Sequence, residues 1–551
     1  MHSLKSIIVE LIHSCKTLNS FKQIHAQLIT STLIYDETIS SKVAEFLGKS
    51  VGFVDYARKL LIHLDSLNSY PFNNLIASYA NCNKPETAIL CYKRFLQCGF
   101  CPDMFSFPVV LKSCAKCCGI GEGKQIHGVV LKMGFGCDLF VRNSMIHFYG
   151  SCGKCVDAGK LFDEMAVRDA VSWSGLISGC VRAELYNEAI LRFKEMDLKP
   201  NVAAVISVVV ACGFVGNVDM GKGVHGLILK RALEKDSAVS NALLNMYVKC
   251  ECLGDARWVF RELDERDAVS WTSMISGLVM YKCSNEALDL FDDMLLLGVE
   301  PDKFILTSIL SACANIGALS YGRWIHDYID RKNIMWDVHI GTSMIDMYFK
   351  CGCIEMALRT FDKLSSRNVL TWNALLGGLA MHGYGSDVLK HFELMVRAGL
   401  RPNKVTFLSI LTACCHSGMA DEGLWHFYQM ENYNISPGLE HYGCIVDLLC
   451  KADLLDEAQN IVRSMPMPPD AAIWGSLLSA CNAKENVELS QDLVDKLHLF
   501  KEKDSGVYVL LCNKYAINKN WDDVTRARRL MRENSIEKSP GLSIIEVNGT
   551  T

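Results

Sequence analysis

One phrase returns four times along the chain: VLKSCAKC, VVVACGFV, ILSACANI and ILTACCHS set Cys114, Cys212, Cys313 and Cys414 at steps of 98, 101 and 101 residues. His127, His225 and His326 follow the first three cysteines, each 13 residues later. The 101-residue step divides into shorter steps of 35, 35 and 31 residues. A period of roughly 20 to 50 residues marks a solenoid, in which each repeat buries its apolar face only against its neighbours. The repeat is therefore the domain, and the rest of the chain is read within it.

Composition agrees with that reading. Half of the 551 residues are hydrophobic, which supplies apolar surface for a continuous core, and no Pro/Gly/Ser-rich linker or charge block divides the chain. The longest apolar run, Val202 to Val215, is shorter than the roughly 20 residues of a membrane span. The 25 cysteines are odd in number, recur at equivalent positions and follow no extracytoplasmic signal. They read as small buried apolar residues and not as a disulfide framework. A net charge of -5 excludes a grip on nucleic acid by bulk positive charge, so any such binding is confined to one face.

A single unit shows what is repeated. In VSWSGLISGCVRAELYNEAILRFKEMDLKPN, Trp173, Leu176, Ile177 and Cys180 fall at i, i+3, i+4 and i+7, one face of a helix. Ala189, Ile190, Phe193 and Met196 form a second such face, which Lys199-Pro200-Asn201 is expected to end. The unit recurs in VSWTSMISGLVMYKCSNEALDLFDDMLLLGVEPD, ending at Asp302, and in LTWNALLGGLAMHGYGSDVLKHFELMVRAGLRPN, ending at Asn403. Each unit is a helix hairpin, and hairpins that cannot bury their own apolar faces must stack.

These residues resemble the plant pentatricopeptide repeat family, and in particular its PLS subclass. The resemblance covers nearly the whole chain and implies an all-α fold, a right-handed α-solenoid superhelix of stacked helix-turn-helix repeats. It divides residues 5–470 into fourteen units in L-S-P order: 5–36, 37–68, 69–103, 104–138, 139–169, 170–201, 202–236, 237–267, 268–302, 303–337, 338–368, 369–403, 404–438 and 439–470. Segments 471–504 and 505–538 resemble the two E motifs of the subclass, and 539–551 is a C-terminal tail. In that tail the family carries Cys and Trp where this chain has Leu542 and Ile544.

Members of this family read single-stranded RNA at one base per unit. By resemblance, the readers are the fifth and the last residue of each unit. Asn at the fifth place goes with pyrimidines and Ser or Thr with purines, while the last residue biases the choice within the class. The pairs are Ser41/Asn68 for A, Asn73/Asp103 and Asn143/Asp169 for U, Ser174/Asn201 for A, Asn241/Asp267 for U, Thr272/Asp302 for G, Thr342/Asn368 for A and Asn373/Asn403 for C. The L-type units carry Pro108, Ile206, Thr307 and Leu408 there and stay unread. The implied address is 5′-A-U-n-U-A-n-U-G-n-A-C-n-n, with a target cytidine four nucleotides beyond the base facing the last S unit. A single Asn or Asp beside a helix start is as readily a cap; the coincidence of both choices in eight units is what points to reading.

Catalytic signatures are absent from the sequence as given. Some relatives carry a zinc deaminase recognised by H-x-E and P-C-x-x-C. Here the one H-x-E, His391-Phe392-Glu393, lies within a repeat, and no C-x-x-C follows it. The C-x-x-C pairs Cys98/Cys101, Cys114/Cys117 and Cys152/Cys155 lack the arrangement of a closed tetrahedral site. The chain is expected to be no enzyme, to need no cofactor or metal, and to leave the membrane alone. The resemblance makes it a site-recognition factor for C-to-U editing of organellar RNA, with a DYW-type deaminase and other editing-complex proteins supplied in trans. Stabilisation, splicing or translation of organellar RNA without editing is one alternative; a protein-binding scaffold like tetratricopeptide repeats is another. Repeats that begin near residue 5 leave no room for a transit peptide, although the family works in mitochondria and plastids, mitochondria being preferred here. The basic run Arg526, Arg528, Arg529 and Arg532 is either a solvated face or a contact for RNA or a deaminase.

Overall fold

A computed structural model of the chain describes residues 18–31, 69–81, 83–97, 101–483 and 519–533, with isolated positions elsewhere. Every regular element among the described residues is helical. The chain divides into two compact units, Met1–Met274 and Ile275–Thr551, and each repeats the same construction.

In the first unit the hairpins pair Ser69–Asn81 with Pro85–Gln97, Ser106–Lys116 with Ile120–Lys132, Leu139–Ser151 with Cys155–Asp163, Ala170–Arg182 with Tyr186–Glu195, Val202–Val215 with Val218–Lys230, and Ser237–Lys249 with Leu253–Glu262. Each first helix packs on the first helix of the next hairpin, and each second helix packs between its own first helix and the next one. In the second unit the same stacking links Lys303–Ile316 with Leu319–Arg331, Val338–Lys350 with Ile354–Lys363, Val369–Met381 with Gly385–Arg397, Lys404–Ser417 with Ala420–Asn432, and Leu439–Lys451 with Leu455–Ser464. Helix Ala471–Ala483 then covers the last hairpin. This is an α-solenoid of helical repeats, and no helix among the described residues is long and apolar enough to cross a membrane.

Of the apolar stripe of residues 170–201, Trp173, Leu176, Ile177 and Cys180 are all in the core, as are Ala189 and Ile190, while Phe193 and Met196 are partly buried. The second helix, however, stops at Glu195, and Met196 is extended. Pro200 therefore does not break the helix; residues 196–200 form a non-helical link, and the proline marks the approach to the next hairpin. First helices come close where side chains vanish: a Cβ on Gly150 would lie 2.8 Å from the Gly179 Cα.

A clamp recurs with the long period. Phe162, Phe260 and Phe361 meet Trp173, Trp271 and Trp372 edge to face, with ring centres 4.6, 5.0 and 4.8 Å apart. Over the same phenylalanines lie the guanidinium groups of Arg168, Arg266 and Arg367, at 4.7, 5.0 and 4.6 Å. Each arginine also donates to carbonyls that end a second helix, as Arg367 does to Phe361 O and Asp362 O at 2.9 Å. Open helix-end carbonyls are thus satisfied, and the second helix is tied to the next first helix.

Cys114, Cys212, Cys313 and Cys414 are fully buried. The histidines that follow them turn the other way: Nδ1 of His127, His225 and His326 shares hydrogen bonds of 2.9, 2.8 and 2.6 Å with the hydroxyls of Tyr149, Tyr247 and Tyr348, all on the first helix of the next hairpin. Burial pulls these three histidines below their ordinary pKa of 6.5. Not all cysteines are inside; Cys101, Cys118 and Cys137 are exposed. Cys118 holds a left-handed φ of 51° at the turn where the later copies have Gly216, Gly317 and Gly418, a conformation that favours glycine.

Stability should respond to acid through His426, which is buried edge-on to Phe392 and Trp425. Burial lowers its pKa from 6.5 to about 4, so the unfolded chain takes up the proton first. The stabilisation is complete above pH 6.5 and is lost as pH falls toward 4. In denaturant titrations, His426→Phe is expected to remove about 1–2 kcal/mol of the stability lost between pH 7 and pH 5. An unchanged slope would exclude His426 as the sensor.

Candidate nucleic-acid interface

The last residue of a described hairpin usually has a structural duty, Gly438 being the exception with no side chain to cap the next helix. Asp103, Asp138, Asp169, Asn201, Asp236, Asp267, Asp302, Asp337, Asn368, Asn403 and Asp470 each accept, through the side chain, a backbone N–H at the start of the next first helix, at 2.7 to 3.0 Å. Such caps satisfy N–H groups that the helix itself cannot.

Five of these residues also touch the fifth position of their own hairpin. Nδ2 of Asn73 donates to Asp103 Oδ1 at 3.1 Å, Asn143 to Asp169 Oδ1 at 3.1 Å, Asn241 to Asp267 Oδ2 at 2.9 Å, and Asn373 to Asn403 Oδ1 at 3.1 Å. Asn201 Nδ2 donates to Ser174 Oγ at 3.1 Å. Thr342 does not touch Asn368: its hydroxyl donates to Val338 O at 2.6 Å and lies 3.0 Å from that of Thr371. Thr272 donates to Ala268 O at 2.6 Å within its own helix, while Asp302 caps Ile305. Ser41 and Asn68 lie outside the described residues.

The asparagine amides are oriented from behind. Ser172 Oγ donates to Asn143 Oδ1 at 2.7 Å, and Thr406 Oγ1 to Asn373 Oδ1 at 2.7 Å. With the carbonyls of Asn143 and Asn373 held by the next hairpin and one N–H on the last residue, the second N–H of these two amides remains for a ligand. Burial disfavours a charge on Asp169, but the hydrogen bonds from the Ser172 backbone N–H and from Asn143 outweigh it and hold the carboxyl below its usual range. The charged acceptor persists at neutral pH.

A second stripe escaped the sequence reading. Phe105, Phe140, Val171, Val269, Phe304, Leu370 and Val405, each the second residue of its unit, are apolar and more than half exposed. They stand three residues before the fifth position, on the same helix face. A cavity of about 330 Å³ in the first compact unit places Asn143 between Phe140 and Val171. Another, of about 540 Å³ in the second, places Thr307 and Thr342 among Phe304, His339 and Leu370. Each slot has apolar or aromatic walls and a hydrogen-bonding floor, the shape that holds a flat heterocycle by stacking and reads its edge. Exposed aliphatic residues at a fixed unit position, seen against an otherwise amphipathic helix, were the signal available in the sequence.

The other candidates are occupied structurally. His391 Nδ1 meets Asp387 O at 2.8 Å and Glu393 pairs with Arg397 at 3.0 Å on one helix. No group of three or more His, Cys, Asp or Glu among the described residues is placed to hold a metal ion. On helix Trp521–Glu533, Arg526, Arg528, Arg529 and Arg532 are exposed opposite buried Val524 and Ala527.

A stack of two-layered helical hairpins with a polar pair in one hairpin after another is a helical-repeat protein of the solenoid class. Residues 70–100, 140–169, 171–199, 239–267, 342–369, 405–435 and 440–467 match the PPR repeat, residues 266–315 and 367–416 the PPR repeat family, and residues 484–546 the E motif. A pentatricopeptide repeat-containing protein of Arabidopsis thaliana is 53% identical over 547 residues, covering 98% of each chain. The chain belongs to the pentatricopeptide repeat family. A second Arabidopsis relative, named as mitochondrial, is 38% identical over 99% of this chain and 86% of its own; a third, named as chloroplastic, is 37% identical over 98% and 78%. Among solved structures, the pentatricopeptide repeat protein PPR10 from maize matches with a TM-score of 0.57 at 16% identity, covering 90% of this chain and 84% of that one. The structure of PPR10 in complex with an 18-nt psaJ RNA element matches with a TM-score of 0.62 at 16% identity, covering 96% and 84%.

Proposed function

We propose that the chain is a sequence-specific single-stranded RNA-binding protein that acts as a site-recognition factor for organellar C-to-U editing and recruits a deaminase in trans. The observation that carries the reading is the polar pair at the fifth and last positions, in direct hydrogen bond in five hairpins and set where apolar second residues are exposed. The fourteen-unit division and the PLS order belong to this proposal, as does the mitochondrion as the compartment, with the plastid as the alternative.

Hydrogen-bond chemistry accounts for the code. An asparagine amide with one free N–H meets the O2 carbonyl that uracil and cytosine share; a charged Asp beside it accepts the uracil N3–H, whereas Asn403 can donate to the cytosine N3. Ser174, Thr272 and Thr342 pass their own protons to Val171, Ala268 and Val338 carbonyls. Their oxygens are then acceptors and suit the purine amino group or N–H. Asn73→Thr is accordingly expected to move the preference at the second nucleotide of the address from U toward G by about tenfold, the size of one base contact. Filter binding against the four single-base variants measures this; an unmoved preference removes Asn73 from the reading set, and no affinity for the address at all favours a protein scaffold.

The editing role is tested by sequencing organellar transcripts from plants that lack the gene. Loss of conversion at a cytidine four nucleotides beyond the address is the expected result, and unchanged editing at every cytidine refutes it.

A further inference from the structure

One joint of the first compact unit is built from thiols. Cys155, the first residue of helix Cys155–Asp163, and Cys180, on the following helix Ala170–Arg182, are both buried and set their sulfurs 2.9 Å apart. The corresponding places in later hairpins hold Leu253 with Leu278 and Ile354 with Leu379. At this joint two large aliphatic side chains are exchanged together for two cysteines. The backbones approach closely as well, since a Cβ on Gly179 would lie 2.9 Å from the Gly150 Cα. Cys152, the C-x-x-C neighbour of Cys155 in sequence, turns toward Cys118 instead.

The two sulfurs are not equivalent. Cys155 is 8% exposed and Cys180 only 1%, so an oxidant from solvent meets Cys155 first. Cys155 also opens a helix, where the backbone N–H groups favour a thiolate. The hydrogen bond from Cys180 pulls the Cys155 thiol below its ordinary value, with help from the Arg192 guanidinium and against burial and the Glu188 carboxylate. Giving that hydrogen bond, together with burial, pushes the Cys180 thiol far up. One sulfur is prepared as a nucleophile, and the other keeps its proton within bonding reach. An activated thiol beside a resolving thiol is the arrangement that stops oxidation at a reversible disulfide. The narrow opening over Cys155 suits a small peroxide and not a bulky disulfide reagent.

We infer that Cys155 and Cys180 form a thiol oxidation site, at which hydrogen peroxide makes a disulfide that ties the second helix of one hairpin to the first helix of the next. Cys155 Sγ, as the thiolate, attacks one peroxide oxygen; the O–O bond breaks, hydroxide leaves and a sulfenic acid forms. Cys180 Sγ then attacks that sulfur, the S–S bond forms as the S–O bond breaks, and the oxygen leaves as water. In sum, two thiols and one peroxide give one disulfide and two waters, the sulfurs losing the two electrons that the peroxide gains. A dithiol reductant reverses the change. The tie joins the hairpins that carry Asn143 and Ser174, and so fixes the setting of two neighbouring polar positions.

The test is peroxide treatment of the full chain, alkylation of the remaining thiols in denaturant, and mass spectrometry of the tryptic peptides. Cleavage after Lys154 parts Cys155 from Cys152, so peptide 155–160 joined to peptide 169–182 reports this pair alone. That joined pair is expected after peroxide and should vanish on reduction. In Cys180→Ala, a cyclic diketone that traps sulfenic acid should label Cys155; in Cys155→Ala it should leave Cys180 unlabelled. Both variants are compared at unchanged helical circular dichroism, and Cys155→Leu/Cys180→Leu, which installs the residues of a later copy, should keep that signal and lose the trap's label at both places. Oxidation of the exposed Cys101, Cys118 and Cys137 without the 155–180 link overturns the inference, as does a link from Cys155 to Cys152 or a trap that labels Cys180 and not Cys155. No RNA enters the experiment, so its failure leaves the RNA-binding reading untouched.

Discussion

A chain ended at Ala483 is expected to bind the address RNA as tightly as the full protein and to support no conversion of the target cytidine. Helix Ala471–Ala483 buries Ile473, Leu477 and Leu478 against the hairpin of Leu439–Lys451 and Leu455–Ser464. Keeping it leaves the last described hairpin covered, as terminal repeats require. The residues removed are those that match the E motif, 484–546, and none of the paired reading positions is among them. On the proposed reading they serve recruitment alone, so affinity measured by filter binding should stay within about twofold while editing in complemented plants falls to the level of the null line. Loss of RNA affinity in the shortened chain would place the 484–546 segment in binding and count against recruitment in trans.

Trp271→Ala costs about 3–5 kcal/mol, the range for truncating a fully buried large aromatic. Trp271 is about 1% exposed and sits edge to face against Phe260, whose own ring lies beneath the Arg266 guanidinium. Its loss empties the joint between one hairpin and the next. Because each hairpin touches only its neighbours, the damage should stay local. Hydrogen exchange is expected to rise sharply in residues 253–280 and little in helix Ala420–Asn432, and binding should lose discrimination at the bases assigned to Asn241/Asp267 and Thr272/Asp302. Trp271→Phe, which keeps the ring contact, should cost about 1.5 kcal/mol or less. Uniform acceleration of exchange along the chain would mean that the solenoid melts as one cooperative body.

The helices were legible because apolar spacing declares them. Trp173, Leu176, Ile177 and Cys180 fall on one face by count alone, and all four are buried. The end of the following helix was misread, since Pro200 is visible in sequence whereas the extended residues 196–200 carry no local mark. The recurring histidines declared a role in packing but not their partner; a His-to-Tyr bond across 22 residues depends on how two hairpins meet. Likewise the Phe–Trp–Arg clamp joins residues whose neighbourhood exists only after stacking. For the candidate site, the pairing of fifth and last residues followed from family resemblance, while the exposed second residues went unnoticed because single exposed aliphatic side chains are ordinary on protein surfaces. Their meaning comes from recurrence beside a polar floor.

The cap that ends each hairpin restricts what such a protein can ever spell. Asp169 and Asn403 both start the next helix and, on the proposed reading, help to choose a base. A residue that must do the first well is drawn from Asp, Asn, Ser and Thr. Any new specificity, whether reached by drift or by engineering, is therefore written in a vocabulary that folding has already shortened, and a Lys or Gln at these places would be a misprint in the architecture before it was a word in the code.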